Sequence, residues 1–459
     1  MSSKRIMTIL AAVLILAQLA ACAPGATPAA TQPAAPVQAT EAPAAEQPSG
    51  QAKYEPVVVG IWSGPEHDNL VLTAAEYQKK TGNEVIVEEI AREAYYDKLT
   101  TTFVGGGSDY DVAYVSSDWP PAWIEADALK DLDSFINDPN VADPGLDLKV
   151  YQPAIDVFKF DGKNYAFPSE GDTAWMFYRQ DLLEAEGIKV PETWEEYYEA
   201  AKALNNSPEM YGAVIGAKPD EAMWDFMHYL YSFGGSILDA DHNVIINNEA
   251  GVEALTFYTN LVKEGLTPPD VATYGYNEIL TSLQQGKVAM GIEWMAATQT
   301  LQDCAQSPNV CKDGQPLLQY ALVPGRKGAD GQVVRGQGAS QWGWAIPAGS
   351  KNQEAAYKFI EWLTSKEGAK MWALNGGIPS NVEALSDPEV VAKVPQFELL
   401  AEAMPYRNLV PPLTVTSDIV TALNEAVSAS VTGTKQPQQA LDEAAAKITG
   451  MLTDAGYLK

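Results

Sequence analysis

Tryptophan and acidic side chains that follow short apolar runs are the residues with the clearest potential for binding chemistry. Trp62 ends the run 57–61, and Asp118 and Trp119 follow the run 111–115. Such runs predict buried strands that pass into loops. An indole ring at a strand exit can stack on a polar, ring-shaped ligand, although most aromatic residues in any globular protein belong to the core. The residue types alone therefore do not decide between a binding site and packing.

Motifs for catalysis and metal binding are missing or incomplete. The chain has no nucleophile-elbow pattern, no His-Glu-x-x-His and no Walker phosphate loop. Asp239, Asp241 and Asn243 mimic the start of a calcium loop, but Val244 and Ala250 stand where Gly and Glu are needed, so a polar turn is favoured. Three His and three Cys are too few for a typical zinc enzyme or cysteine cluster, and no cofactor is predicted. A carboxylate pair for glycoside hydrolysis stays open among 60 acidic residues.

The charge balance excludes one class of partner. Among 459 residues, 60 are Asp or Glu and 30 are Lys or Arg, which gives a formal charge of −30. Most of the surface should therefore repel polyphosphate, and no nucleic-acid partner is expected.

The amino terminus is typical of an export signal. Two basic residues precede the apolar run 6–19, which at about 1.5 Å per residue is too short for the roughly 30 Å of a bilayer core. The stretch Leu-Ala-Ala-Cys at 19–22 resembles the lipobox of bacterial lipoproteins, so residues 1–21 would be the signal peptide and Cys22 the acylated first residue. An ordinary signal peptide with an incidental Cys22 is the alternative.

The segment 22–53 is predicted to be a tether. Residues 23–52 are rich in Ala, Pro, Thr and Gln and contain no aromatic residue, Leu or Ile. They cannot form a core. The folded part, expected from residue 54, would then be held at the outer side of the cell membrane.

Cys304 and Cys311 remain once Cys22 is assigned to the lipid anchor. They lie close together in a predicted loop outside the cytoplasm, where disulfides persist, and closure of so small a ring is worth about 2.5 kcal/mol. A disulfide is the favoured interpretation, and a pair of free surface thiols is the alternative.

Strands and helices alternate at the start of the folded part. Apolar runs at 57–62, 85–87 and 111–115 alternate with helix-compatible stretches at 70–77 and 95–103. This β-α order predicts a mostly parallel sheet whose ligand loops lie at the carboxyl ends of the strands. Thr193 and Glu196 predict a capping box at the start of a later helix.

Several segments in order resemble the extracellular solute-binding proteins of ATP-driven importers, family 1, the maltose-binding type. The resemblance extends over essentially everything after residue 54. Its segments are 62–64, 110–119, 167–183, Pro-Glu-Thr-Trp-Glu-Glu at 191–196, Gly-Lys-Val-Ala-Met at 286–290, and 343–364.

The resemblance implies an α/β fold of the two-lobe periplasmic-binding-protein type II. The discontinuous lobes would be 54–167 plus 292–340 and 173–290 plus 343–459, with crossovers near 167–173, 291–295 and 338–342. Ligand would be held between lobes that close by a hinge motion. A monomer is expected.

The resemblance also implies a monosaccharide or oligosaccharide ligand. A sugar offers apolar CH faces to aromatic rings and hydroxyls to polar side chains. The candidate ligand-binding residues are Trp62, Asp118, Trp119, Asp172, Trp224, Trp294, Trp342 and Arg407. The alternative roles are core packing for the tryptophans, helix caps or turns for the aspartates, and a surface ion pair for Arg407.

Two functions of different classes follow. The first is a lipid-anchored receptor, not an enzyme, that presents a sugar or related polyol to a membrane permease. The second is a secreted carbohydrate-active hydrolase with a carboxylate pair between the same lobes. A sensor kinase in place of the permease is a third, weaker possibility.

Overall fold

The structure, a computed structural model, describes residues 53–458 except for residues 108, 153 and 329. The strands are β1 (Val57–Trp62), β2 (Val85–Ile90), β3 (Val112–Ser116), β4 (Lys159–Phe160), β5 (Lys163–Asn164), β6 (Ala166–Arg179), β7 (Tyr211–Val214), β8 (Val288–Trp294), β9 (Cys311–Lys312), β10 (Gln315–Pro316), β11 (Leu318–Leu322), β12 (Arg326–Lys327), β13 (Val333–Val334), β14 (Gln337–Ala345) and β15 (Arg407–Leu409). The helices are α1 (Pro65–Thr81), α2 (Tyr95–Val104), α3 (Pro120–Glu125), α4 (Asp133–Ile136), α5 (Gln180–Ala185), α6 (Trp194–Leu204), α7 (Ala222–Ser232), α8 (Glu249–Lys263), α9 (Tyr276–Gln284), α10 (Thr298–Gln302), α11 (Gln353–Thr364), α12 (Lys366–Leu374), α13 (Val382–Leu385), α14 (Pro388–Lys393), α15 (Gln396–Ala403), α16 (Thr416–Val431) and α17 (Pro437–Asp454). Among these helices, none has both the length and the apolar composition needed to cross a bilayer.

One curled sheet runs through the described part of the chain in the order β2-β1-β3-β14-β6-β8-β7, with β11 beside β6 and β15 beside β14. Its flanks are parallel, because β1 pairs in parallel with β2 and β3, and β7 with β8. Its centre is antiparallel, where β14 lies between β3 and β6 and β8 follows. The prediction of a mostly parallel sheet is therefore wrong for the centre, where long-range pairing of β6 and β14 sets the strand directions.

The first half of the molecule is the set of residues that pack in one hydrophobic cluster, drawn from 57–167 and 344–372. Strands β1 and β3 are almost wholly buried, and Trp344 on β14 pairs with Tyr114 on β3. Helices α1, α11 and α12 cover this part of the sheet, with the Tyr77 ring 5.2 Å from Phe359. The late segment 344–372 thus completes the core that the first strands begin.

The second half comprises residues of 174–323 and 390–452, which pack in two further clusters on opposite faces of the sheet. Side chains alternate along a strand, so on β6 Met176 joins one cluster, and Trp175 and Phe177 join the other. A strand buried on both faces carries a continuous apolar run, as this part of β6 does.

The packing corrects the lobe boundaries expected from the sequence. Segment 295–322 packs in the second half, because β11 pairs with the carboxyl-terminal part of β6, and 344–372 packs in the first half. The chain crosses between halves along β6, along β14 and again between Asn381, whose Nδ2 donates to the Thr364 carbonyl oxygen in the first half, and Val390, which packs in the second. The expected crossover at 291–295 is not seen, since β8 pairs only within the second half.

Candidate functional site

A cavity of about 460 Å³ lies between the two halves. The first half contributes the exits of β1 and β3 and the start of α2, and the second half contributes α7, the end of β8 and the start of α16. The crossing strands β6 and β14 also line it. The cavity therefore lies where strands end and where the halves are joined.

The side of the cavity formed by the first half is an aromatic wall, which we define as Trp62, Tyr95, Tyr96, Trp119 and Trp342. The Trp62 ring lies 4.3 Å from Trp342 and 5.3 Å from Tyr95, centroid to centroid. The Trp119 ring lies 5.2 Å from Trp342 and 5.0 Å from Tyr96. The rings support one another, so each is held in one orientation before any ligand is contacted.

The opposite side is a polar wall, defined as Trp224, Asp225, His228, Glu293 and Trp294. Trp224, Asp225 and His228 all belong to α7. His228 is four residues after Trp224 and three after Asp225, so its side chain neighbours both on the same side of the helix. The His228 ring lies 4.8 Å from Trp294. Burial lowers the pKa of His228 to about 3, so this ring is neutral at physiological pH.

The crossing strands bring two acidic side chains to the cavity. Glu170 and Asp172 are two residues apart on β6 and point to one face, opposite Trp342 and Ser340 of β14. Burial first, and then repulsion from Asp172 and from Glu66, raises the pKa of Glu170 well above its usual value. Burial likewise raises the pKa of Asp172, although the Thr173 amide and Arg407 oppose the shift.

Each side of the cavity also has one buried aspartate with hydrogen-bond partners, Asp118 in the first half and Asp225 in the second. Burial raises the pKa of Asp118 to about 6, against the opposing effect of the Ser116 hydroxyl that donates to it. Burial raises the pKa of Asp225 to about 7. Asp225 accepts hydrogen bonds from the Tyr258 hydroxyl and, at 2.7 Å, from the Gly216 amide.

Arg92 connects the two walls. Its guanidinium carbon lies 5.1 Å from the ring centroid of Trp62 in the first half and 4.5 Å from that of Tyr276 in the second. Burial alone would raise the pKa of Glu221, but Arg92, the Tyr276 amide and Lys218 together lower it. Arg92 therefore stabilises charge and ring contacts across the cavity.

Seven polar side-chain atoms at the cavity are buried and have no hydrogen-bond partner among the described residues. They are Trp62 Nε1, Glu66 Oε2, Arg92 Nη1, both ring nitrogens of His228, Tyr276 Oη and Glu293 Oε2. A buried polar atom without a partner costs about 1–3 kcal/mol. The set contains both donors and acceptors, which suits a ligand that offers both.

Seven of the eight side chains expected at a ligand site line this cavity. They are Trp62, Asp118, Trp119, Asp172, Trp224, Trp294 and Trp342. Arg407 is not among the lining residues; its Nη2 donates to the carbonyl oxygens of Asp172 at 3.3 Å and Ser340 at 3.0 Å. Arg407 thus lies behind the crossing strands and ties them together.

The remaining sequence expectations lie away from the cavity. Cys304 and Cys311 form a disulfide with their Cα atoms 5.5 Å apart. The calcium-like segment is a polar turn in which Asp239 Oδ1 accepts from the amides of Asp241 at 2.9 Å and Asn243 at 2.8 Å. Cys22 lies outside the described residues.

Five further residues that were not predicted from the sequence line the cavity: Glu66, Arg92, Glu170, Tyr276 and Glu293. A usable signal existed for two of them. Arg92 follows β2 as Trp62 ends β1, and Glu170 lies two residues before Asp172 on the same strand. Tyr276 had no such local signal, because it reaches the cavity only through the packing of α9.

Several known proteins resemble this chain in sequence or in fold. A probable amino-acid ABC transporter periplasmic-binding protein of Sinorhizobium fredii is 24% identical, covering 86% of this chain and 89% of that protein. The mannitol-binding protein of Pseudomonas aeruginosa is 26% identical, covering 82% and 87%. A crystal structure of an ABC transporter solute-binding protein from Agrobacterium radiobacter with ribitol is 29% identical, covers 88% of this chain and 100% of that chain, and has a TM-score of 0.76.

These proteins are solute-binding proteins, so they support the two-lobe fold and not the hydrolase alternative. The model of the bacterial extracellular solute-binding proteins matches residues 65–370, which is most of the folded part. This chain belongs to the family of bacterial extracellular solute-binding proteins.

Proposed function

We propose that the protein is an extracytoplasmic receptor of an ATP-driven importer that binds a sugar or polyol between its halves without covalent chemistry. The observation that carries the proposal is the cavity between the halves, which combines a wall of aromatic rings with buried carboxylates. Ring faces suit the CH groups of a carbohydrate, and unpartnered donors and acceptors suit its hydroxyls. The mannitol-binding relative and the ribitol complex support this ligand class.

A thermal-shift screen of sugars, polyols and glycosides tests the receptor function, with calorimetric titration of each compound that shifts the melting temperature. A ligand at 100 times its Kd should stabilise the native state by about 2.7 kcal/mol. If no sugar or polyol in the panel stabilises the protein, the proposal is wrong. Release of cleaved product from an oligosaccharide by the pure protein would favour the hydrolase instead.

Delivery to a permease requires that the receptor remain near the membrane, and we place the anchor at Cys22. The support is the lipobox-like sequence and the coreless segment 23–52, since two or more acyl chains anchor stably where one is marginal. Replacing Cys22 with Ser should abolish acyl labelling and move the protein to the soluble fraction. The matched control replaces both Cys304 and Cys311, which should leave labelling unchanged; labelling of the Cys22→Ser protein would refute the anchor.

A further inference from the structure

The charge of the cavity is strongly one-sided. Among the described residues that line it are eleven Asp or Glu side chains and one Arg, with no Lys. The neighbouring His228 is neutral because burial lowers its pKa to about 3. An anionic ligand would meet repulsion on every side.

Part of this negative charge is compensated locally. Glu221 accepts from Lys218 Nζ at 3.0 Å and from the Tyr276 amide at 3.0 Å. Asp225 accepts from Tyr258 and Gly216. These carboxylates do not require a charged ligand.

Four central carboxyl groups form no ion pair among the described residues, although Asp172 accepts from the Thr173 amide at 2.8 Å and Glu293 from the Trp294 amide at 2.8 Å. Glu66, Glu170, Asp172 and Glu293 are each 5% exposed or less. The nearby cations are Arg92 and, behind the strands, Arg407, whose Nη2 donates to backbone carbonyls. Only one of these two guanidinium groups, that of Arg92, lines the cavity with the four carboxyl groups, and one oxygen each of Glu66 and Glu293 has no partner among the described residues.

A neutral polyol can donate hydrogen bonds to these carboxyl groups, but it does not offset the burial and mutual repulsion that raise the pKa values of Glu170, Asp172 and Glu293. An ammonium group adds three donors and a positive charge, and the neighbouring indole faces of Trp62 and Trp342 attract cations. Trp62 Nε1 and Arg92 Nη1, which lack partners, need acceptors that hydroxyl or ring oxygens supply. The cavity thus favours a molecule that carries both a positive charge and hydroxyl groups.

Building on the receptor function proposed above, we infer that the preferred ligand is a sugar or polyol that bears one protonated amino group, held beside Glu66, Glu170 and Asp172.

Calorimetric titration at pH 7 with matched pairs tests this inference. The pairs are glucamine with sorbitol, and glucosamine, galactosamine and mannosamine each with its parent sugar; N-acetylglucosamine retains the nitrogen without the charge. At least one amine should bind about tenfold or more tightly than its neutral partner. Glu170→Gln should reduce that preference to about threefold or less.

Glu361→Gln is the matched control, because it removes a carboxyl that is 6% exposed and hydrogen-bonded in the first half, away from the cavity. It should leave the preference unchanged, and a urea melt shows whether each variant folds. Equal or tighter binding of the neutral partners overturns the inference but leaves the receptor function intact. Failure of every amine and every neutral compound to bind overturns both.

Discussion

The two walls of the cavity are built differently. The aromatic wall belongs largely to the core of the first half, where Trp62 is 3% exposed and contacts Tyr95, Tyr114 and Trp342. On the polar wall, Trp224 and Trp294 are half-buried and lie among ionisable groups. The aromatic wall is therefore part of a packed core and contributes to folding, whereas the indole rings of the polar wall are more exposed than Trp62 and should contribute less.

The largest expected effect is on folding and comes from the aromatic wall. Trp62→Ala removes a buried ring with three aromatic neighbours, so it should cost about 3–5 kcal/mol of unfolding free energy, measured by urea denaturation. Trp224→Ala on the polar wall should cost less than about 1.5 kcal/mol. Equal losses in the two variants would show that the walls do not differ in this respect.

The pH dependence of stability should also differ between the two sides of the cavity, because the buried aspartates Asp118 and Asp225 have different raised pKa values. The folded-state pKa of Asp118, about 6, exceeds its usual value of 3.8 because burial disfavours the charged form, so protonation stabilises the fold. This contribution, about 3 kcal/mol, is fully present below pH 4 and is lost as the pH rises through 6.

Asp118→Asn should therefore flatten the pH dependence of stability between pH 4 and 6 in denaturant melts. Asp225→Asn on the polar wall should flatten it up to about pH 7, because the pKa of Asp225 is raised to about 7. Variants whose profiles match that of the parent would contradict these assignments.

Ligand affinity should depend strongly on Trp119, one of the half-buried rings of the aromatic wall. Trp119→Ala removes stacking and apolar contact, so it should weaken binding of the best ligand by roughly 30- to 150-fold, about 2–3 kcal/mol. Trp362 packs against Tyr77 at 5.1 Å, away from the cavity. Trp362→Ala should lower stability and leave affinity nearly unchanged in calorimetric titration; binding by Trp119→Ala within twofold of the parent would place the ligand elsewhere.

The smallest effect tests a contact between the halves. Ser417 Oγ of α16 donates to the Tyr96 hydroxyl at 2.8 Å, and one hydrogen bond is worth about 1 kcal/mol. Ser417→Ala should weaken ligand binding about fivefold and change unfolding by less than about 0.5 kcal/mol. Tyr96→Phe should do the same, and the double variant should lose no more than either one; additive losses would show that the two groups do not act as a pair.

Local sequence signals predicted the early elements well. The first three strands and the helices between them are present, and the capping box is complete: Thr193 Oγ1 accepts from the Glu196 amide at 3.3 Å and Glu196 Oε2 from the Thr193 amide at 3.2 Å. Trp62 and Trp119, which were singled out because they lie where strands end, both line the cavity. These features depend on contacts within a few residues, so a single sequence suffices for them.

Long-range features could not be predicted in the same way. Nothing local in 344–372 indicates that it packs with the first strands, because that follows from the pairing of β14 with β3. Arg407 was predicted to contact the ligand, yet its side chain donates to the carbonyl oxygens of Asp172 and Ser340 on the crossing strands and does not line the cavity. Residue type alone does not tell which side of a strand faces a cavity.

From the sequence alone, the resemblance of ordered short segments indicated the family, and apolar periodicity predicted the order of the early elements and the kind of side chain available for binding. Both signals lie within short stretches of chain. Only the tertiary structure decided that Glu66, Arg92, Glu170 and Glu293 meet the predicted tryptophans. It also decided that the pKa values of Glu170 and Glu293 are raised, since burial and carboxylates from neighbouring segments act on them together. The physical reason is that the cavity forms where two halves meet, and each half is assembled from separate stretches of chain.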